Sequence, residues 1–205
     1  MKGSIKGVIT LTIITLISGA LLGYVYELTK EPIAIQREKA KQEAYKNVFE
    51  QASVFKPLED FDMASVDQLL AENGFEKESI VESNIACSES GNKLGYVMLI
   101  STNEGYGGEI VISLGITHDG TINGIDILSI DETPGLGMQA DEPEFKNQFR
   151  GKSVAQFAYS KSGAKQDYEI DALSGATITT NAMVNAVNAG LCYFNSVLKG
   201  GEVNE

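Results

Sequence analysis

KLGYVMLISTNEGYGGEIVISLGITHDGTINGIDILSI, residues 93–130, is the stretch that decides the fold. It breaks into KLGYVMLIS (93–101), GEIVISLGIT (108–117) and TINGIDILSI (121–130), runs rich in Ile, Val and Leu separated by Gly, Asn, Asp and Ser. Runs of this kind read as successive antiparallel strands. His118-Asp119-Gly120 joins the last two, and Asp-Gly between alternating apolar runs is a strong hairpin signal. IVESNIAC (80–87) adds a strand in front, so a meandering sheet is predicted.

Helices flank it. Downstream, Glu142-Pro143-Glu144 opens a short helix toward Arg150, with acids at its positive end. Residues 151–170 show weak periodicity. From Asn181 to Leu198 the apolar residues Val184, Val187, Leu191, Phe194 and Leu198 step by three and four, one face of an amphipathic helix. Upstream, SVDQLLAENG predicts a helix from near Ser65 that Asn73-Gly74 stops. Glu31 to Gln51 reads as a separate helix, with Ile33, Arg37, Ala40, Ala44 and Val48 at helical spacing and Pro32 in its first turn.

Further upstream, Gly7 to Tyr26 (GVITLTIITLISGALLGYVY) carries no charge over 20 positions. At 1.5 Å per residue it makes about 30 Å of helix, the thickness of a hydrocarbon core. Lys2 and Lys6 precede it and Glu27 begins an acidic stretch behind, so the positive-inside rule places the N-terminus in the cytoplasm and the rest outside. Tyr24 and Tyr26 then lie at the outer interface. Ser18-Gly19-Ala20 resembles a signal cleavage site, but apolar residues continue six positions beyond it, and the reading adopted is an uncleaved anchor. The predicted organisation is a cytoplasmic N-terminus (1–6), a transmembrane anchor (7–26), a helical connecting segment (27–78) and a sheet domain (79–205). The fold class is α+β: a single N-terminal transmembrane helix, then an antiparallel sheet with flanking helices.

Composition narrows the function. In 205 residues, 28 acids face 16 basic residues, and 43% hydrophobic content suffices for a core. Every acid lies from Glu27 onward, so the part beyond the apolar segment is more acidic than the chain's overall −12. Such a surface repels phosphate backbones, and no nucleic acid partner is expected. No Cys/His spacing suggests a metal. Cys87 and Cys192 are too few for a disulfide framework; one bridge is possible outside the cytoplasm, although Cys192 falls in an apolar helical pattern where a free thiol is common.

The chemistry concentrates in Asp171-Ala-Leu-Ser-Gly-Ala-Thr177-Ile-Thr-Thr-Asn181. Small and hydroxyl residues here empty into a helix N-terminus, where unpaired N–H groups and the helix dipole favour a phosphate. Gly175 and Ala176 permit close approach, and Ser174, Thr177, Thr179 and Thr180 offer hydroxyls. The plain alternative is a turn whose helix is capped by Thr180 or Asn181. Two other sites are rejected. Gly135-Leu-Gly137-Met-Gln-Ala140 fits a dinucleotide string, but Pro143 interrupts the helix it needs and no acid lies between 151 and 166. A Ser174 hydrolase lacks a partner, because His118 is the single histidine and sits on a turn tip. Glu104, Glu109 and the acids from Asp131 to Glu144 read, by default, as a solvated face.

Asp-x-x-Ser-Gly-Ala-Thr followed by threonine and a helix resembles the acceptor motif of flavin transferases, which attach FMN from FAD to threonine through a phosphodiester. In familiar versions a serine follows the second threonine; here Thr180 keeps the hydroxyl. Glu132-Thr133-Pro134-Gly135-Leu136-Gly137 is similar to the loop that borders the isoalloxazine in such FMN-binding domains, and the Tyr106-Gly107-Gly108 turn also matches. With the anchor, the resemblance covers nearly the whole chain and points to the G subunit of Rnf-type ion-translocating complexes. The C subunit of the sodium-pumping NADH:quinone oxidoreductase is the alternative within the superfamily, and a non-redox extracytoplasmic FMN-binding module the alternative outside it.

The resemblance implies covalent FMN on Thr177, with Asp171, Ser174, Gly175, Ala176 and Thr179 around it. Glu132, Thr133, Pro134, Gly135, Leu136, Gly137 and Tyr106 would border the ring, and the 79–205 segment would be the FMN-binding domain. It implies partners as well: a flavin transferase for maturation, iron–sulfur subunits and a second FMN-bearing membrane subunit. Electron flow between reduced ferredoxin and NAD would be coupled to Na⁺ or H⁺ transport, with no catalytic side chain in this chain.

Overall fold

The computed structural model describes residues 2–199. Residue 1 of the expected N-terminal segment and 200–205 of the expected sheet domain lie outside the described residues. The chain divides into two units, the first ending at Ala40 and the second beginning at Lys41.

One helix, α1, runs from Lys2 to Val48. The expected break between an anchor and a second helix is absent, and Pro32 stands inside α1 rather than in a first turn. Proline removes one backbone donor, but long helices tolerate that loss by bending locally. The apolar part of α1 is long enough to cross a membrane, and none of it is buried against protein. Its hydroxyls turn inward: Thr10, Thr12, Thr15 and Thr29 donate to the carbonyls of Lys6, Val8, Leu11 and Val25 at 2.9–3.1 Å. Back-bonding of this kind satisfies a threonine donor inside a hydrocarbon phase.

In the second unit, β1 (Val54–Pro57), β2 (Glu78–Cys87), β3 (Lys93–Thr102), β4 (Ile110–Thr117) and β5 (Ile122–Ser129) form one antiparallel sheet in chain order. The four later strands follow the expected runs. β1 corrects the helical reading of 27–78: it pairs with β2 from Val54↔Cys87 to Pro57↔Asn84, and α2 (Met63–Glu72) follows it. Asp62 caps α2 by accepting from the Ser65 N–H at 3.2 Å, and Asn73 with Gly74 (φ 88°) ends it. At the β4–β5 hairpin, Gly120 has φ 92°, the left-handed region that its lack of a Cβ permits.

The sheet is covered on both faces, and β3 shows how. Tyr96, Met98 and Ile100 face the main core with Ile112, Leu114, Leu70 and the C-terminal helix. Val97 and Leu99 face a second core made with Tyr45, Val48, Phe49 and Ala52 at the end of α1. A strand buried on both faces reads as a continuous apolar run, which is why YVMLI does not alternate. Gly115 is needed for this contact, since a Cβ there would sit 2.9 Å from the Val48 carbonyl oxygen.

Beyond β5 come a 3₁₀ turn (Gly137–Asp141) and α3 (Pro143–Lys146). The parallel pair β6 (Ala158–Ser160) and β7 (Glu169–Asp171) comes next. The poorly periodic segment is held by side chains. Buried Asn188 accepts from the Phe157 N–H at 2.7 Å and donates to the Phe157 carbonyl at 3.0 Å. Phe145, Phe149 and Phe157 stack edge to face. The closing helix, α4, spans Thr177–Tyr193 and ends in a π-helical turn, Phe194–Leu198. It begins four residues before the expected Asn181.

Candidate cofactor site

The early start of α4 puts Thr177 at the first helical position, behind Ala176 (φ −131°, ψ 51°). No side chain caps this end. Neither of the two expected caps acts as one. The Thr180 hydroxyl donates to the Ala176 carbonyl at 2.9 Å and accepts from the Leu173 N–H at 3.0 Å. Asn181 turns its amide to Glu104 at 3.2 Å. First-turn N–H groups without a cap, at the positive end of a 17-residue helix, suit an anionic group. Gly175, at φ 74°, turns the chain into the helix there.

The helix end opens on a cavity of about 570 Å³. One wall is Gly175 to Thr179, the second is Glu132, Thr133, Leu136 and Gly137, and Tyr106 stands at the side. Thr133 shapes the second wall, its carbonyl accepting from Leu136 N–H at 3.1 Å and Met138 N–H at 3.3 Å. Close approach between the walls depends on Gly137. A Cβ there would lie 2.6 Å from the Thr179 hydroxyl oxygen and 2.7 Å from Glu132 Oε2. Glu132 is buried, its Oε1 accepting from the Tyr106 N–H at 2.7 Å.

Two polar groups face the cavity with hydrogen-bonding capacity to spare. Thr179 is only 1% exposed, and its hydroxyl has no hydrogen-bond partner among the described residues. Glu132 Oε2 likewise makes no bond there. Both can therefore hydrogen-bond to whatever enters the cavity. Tyr106, Leu136 and Ile178 leave exposed apolar surface at the mouth. An anion-receptive helix end, inward polar atoms and an apolar mouth together suit a ligand that carries an anionic group and a flat apolar face.

A polar network stands behind the wall. Glu104 Oε2 accepts from Asn185 at 2.6 Å and from Asn181 at 3.2 Å, with Lys77 3.8 Å from the other oxygen. The Glu104 N–H donates to the Thr102 hydroxyl at 3.2 Å, which donates to Glu78 at 2.8 Å. Burial raises the pKa of Glu78; the Thr102 bond opposes this and the nearby charge of Glu104 adds to it. Glu104 is thus no solvated acid but the clamp between α4 and the loop carrying Tyr106. No sequence signal marks it, because its amide partners lie 77 and 81 positions away.

Of the expected site residues, the fold gathers Tyr106, Glu132, Thr133, Leu136, Gly137, Gly175, Ala176, Thr177 and Thr179 at one cavity. Pro134 and Gly135 belong to the same loop without lining it. Asp171 and Ser174 open instead on a neighbouring groove of about 700 Å³. Ile178 lines the cavity and was not anticipated, because its apolar side chain carried no polar signal. His118 is exposed on its turn, and Cys87 and Cys192 are both free thiols. Among the described residues no group of three or more His, Cys, Asp or Glu is placed to hold a metal.

Known proteins resemble most of the chain. The model of the FMN-binding domain family matches residues 105–191, and that of the RnfG N-terminal region matches residues 1–48. The G subunit of an ion-translocating oxidoreductase complex from Methanosarcina acetivorans is 31% identical over 93% of this chain and 94% of its own length. The G subunit of the Na⁺-translocating ferredoxin:NAD⁺ oxidoreductase complex of Acetobacterium woodii is 34% identical over 88% of this chain and 84% of its own. The crystal structure of Shewanella oneidensis NqrC superposes at a TM-score of 0.49 with 23% identity, covering 58% of each chain.

Proposed function

This chain belongs to the RnfG family, the G subunits of ion-translocating oxidoreductase complexes, and on that premise we propose that it is a membrane-anchored electron relay carrying FMN covalently on Thr177. It is an electron-transfer component acting among the other subunits of such a complex. The observation that carries the proposal is the uncapped start of α4, with Thr177 at its first position and a cavity of about 570 Å³ before it.

Attachment is a phosphoryl transfer. The Thr177 hydroxyl oxygen bonds to the FMN-side phosphorus of FAD, the bond to the other phosphate breaks, and AMP leaves. The hydroxyl proton passes to a base on the flavin transferase. The diester keeps one negative charge, which the helix end stabilises by about 0.3–1 kcal/mol. Bound FMN supplies the electron-transfer chemistry; the protein binds, orients and shields it. Leu136, Ile178 and Tyr106 offer apolar surface to the ring, while Thr179 and Glu132 offer acceptors to donor groups on the ligand. A tether holds the ring at high effective concentration, so a cofactor released outside the cytoplasm is not lost by dilution.

Supporting a single-pass anchor are the exposed apolar stretch of α1 and the acids that begin at Glu27. By the positive-inside rule the second unit lies outside the cytoplasm. The names of the relatives favour the Rnf reading over the quinone-reducing one. Intact mass and peptide mapping of chain from its native membrane test the proposal. An added FMN-phosphoryl mass on the Thr177 peptide is expected, and Thr177→Ala should lose it along with in-gel flavin fluorescence. Flavin retained on denatured Thr177→Ala protein would sink the assignment.

A further inference from the structure

Two oxygens crowd the place where a side chain at position 137 would begin. A Cβ on Gly137 would lie 2.6 Å from the Thr179 hydroxyl oxygen and 2.7 Å from Glu132 Oε2. Glu132 is 6% exposed and Thr179 1%, yet both line the cavity. Neither oxygen has a hydrogen-bond partner among the described residues. Their chemistry differs, because a carboxylate only accepts whereas a hydroxyl also donates. Set close together, they match a ligand edge on which an N–H adjoins a C=O. The isoalloxazine carries such an edge in the imide of its pyrimidine ring, where N3–H lies between two carbonyls. The opposite, dimethylbenzene end is apolar, as are Leu136 and Ile178 at the mouth.

Charge orients the ligand in the same sense. The phosphoryl group belongs at the uncapped start of α4, and the Glu132 carboxylate repels it. Thr179 is two positions from Thr177, and residues so spaced do not face each other on a helix. Its hydroxyl is thereby kept for another part of the ligand. We propose that Glu132 Oε2 accepts from the flavin N3–H while the Thr179 hydroxyl donates to an adjoining carbonyl, so that the pair reads the imide edge and fixes which way round the ring sits. The inference rests on the Thr177 reading. Glu132 is then a specificity residue as well as a wall. A ring alkylated at N3 would leave its buried oxygen without a donor, which costs more for a charged group than for a neutral one.

The test uses full-length chain in detergent, made alongside a flavin transferase, with flavin content checked by intact mass. The N3–H proton is titrated through the flavin's visible absorbance, in folded and in denatured chain. A carboxylate acceptor holds that proton, so folded chain should release it at a pH higher by about one unit or more. Glu132→Gln, which keeps an oxygen for the Tyr106 N–H and removes the charge, should abolish most of that rise. Where alkali unfolds the chain first, resonance Raman at neutral pH reads the same bond. The N3–H bending band, identified by its shift in D₂O, should fall in frequency in Glu132→Gln. Thr179→Val, nearly the same in shape, should raise a carbonyl stretching frequency, and it serves if Glu132→Gln does not load. Folded and denatured chain titrating together, a rise that survives Glu132→Gln, or bands unmoved in both variants overturns the imide contact and leaves the Thr177 reading standing. A wild-type chain carrying no flavin mass, or a Thr177→Ala chain carrying it, overturns both.

Discussion

The backbone N–H of Tyr106 donates to Oε1 of Glu132 across 2.7 Å, joining two loops 26 positions apart in the chain. One loop carries the exposed aromatic side of the cavity and the other its inner wall. With Oε1 so engaged, Oε2 is left toward Gly137 and the cavity. A single buried carboxylate therefore both builds the wall and presents an acceptor to whatever enters.

Glu132→Ala removes the acceptor and leaves the Tyr106 N–H without a partner. Loss of a hydrogen bond to a charged group costs about 1.5–3 kcal/mol. Urea unfolding should show a loss of that size, with a smaller one for Glu132→Gln, which keeps a carbonyl oxygen at the same place. Equal losses in the two variants would mean that packing, rather than the bond, is what Glu132 contributes.

Gly137→Ala places a methyl group 2.6 Å from the Thr179 oxygen and 2.8 Å from Glu132 Cβ. Both neighbours are buried, so the walls must part, at about 1–3 kcal/mol. Thermal melting should fall accordingly, and the visible absorption band of FMN-loaded protein should shift as the ring's surroundings change. A wild-type spectrum would place the ring away from this loop.

Glu78 gives a pH signature. Its folded pKa is raised above the ordinary carboxylate value of 4.5, chiefly by burial. The folded state therefore binds this proton more tightly than the unfolded state does. The resulting stabilisation is full below 4.5 and is lost as pH rises through the folded value. Glu78→Gln keeps the acceptor for Thr102 and removes the charge beside Glu104. It should be more stable than wild type at neutral pH, with the advantage vanishing in acid. Parallel stability curves for the two proteins across that range would refute the argument.

Strands β2 to β5 were legible because each is a compact apolar run bounded by turn residues, and Asp119-Gly120 names its own turn chemistry. β1 was not: VFKP is four residues long, three of them exposed, and its membership in the sheet comes from pairing with β2. The start of α4 was misread because Thr177-Ile178-Thr179-Thr180 are β-branched, weak helix formers, while conventional capping residues stand at 180 and 181. The uncapped end that made the start hard to see is the feature that suits the site to an anion. Glu104 looked like a surface acid, and so did Glu132 apart from the resemblance that put it beside the ring, since burial is decided by what packs over a residue and not by its type.

Sequence alone determined what depends on short range: the apolar span, the alternation and turns of the sheet, and the small-residue segment ending at Thr177. These are properties of neighbours in the chain, and local sterics and periodicity express them directly. Tertiary structure decided which residues meet. It brought the 132–137 loop to the head of α4, turned Glu104 inward onto Asn181 and Asn185, and sent Asp171 and Ser174 to a different surface from Thr177. Contacts between distant residues follow from how sheet and helices pack around one core, and no short window of sequence contains that geometry.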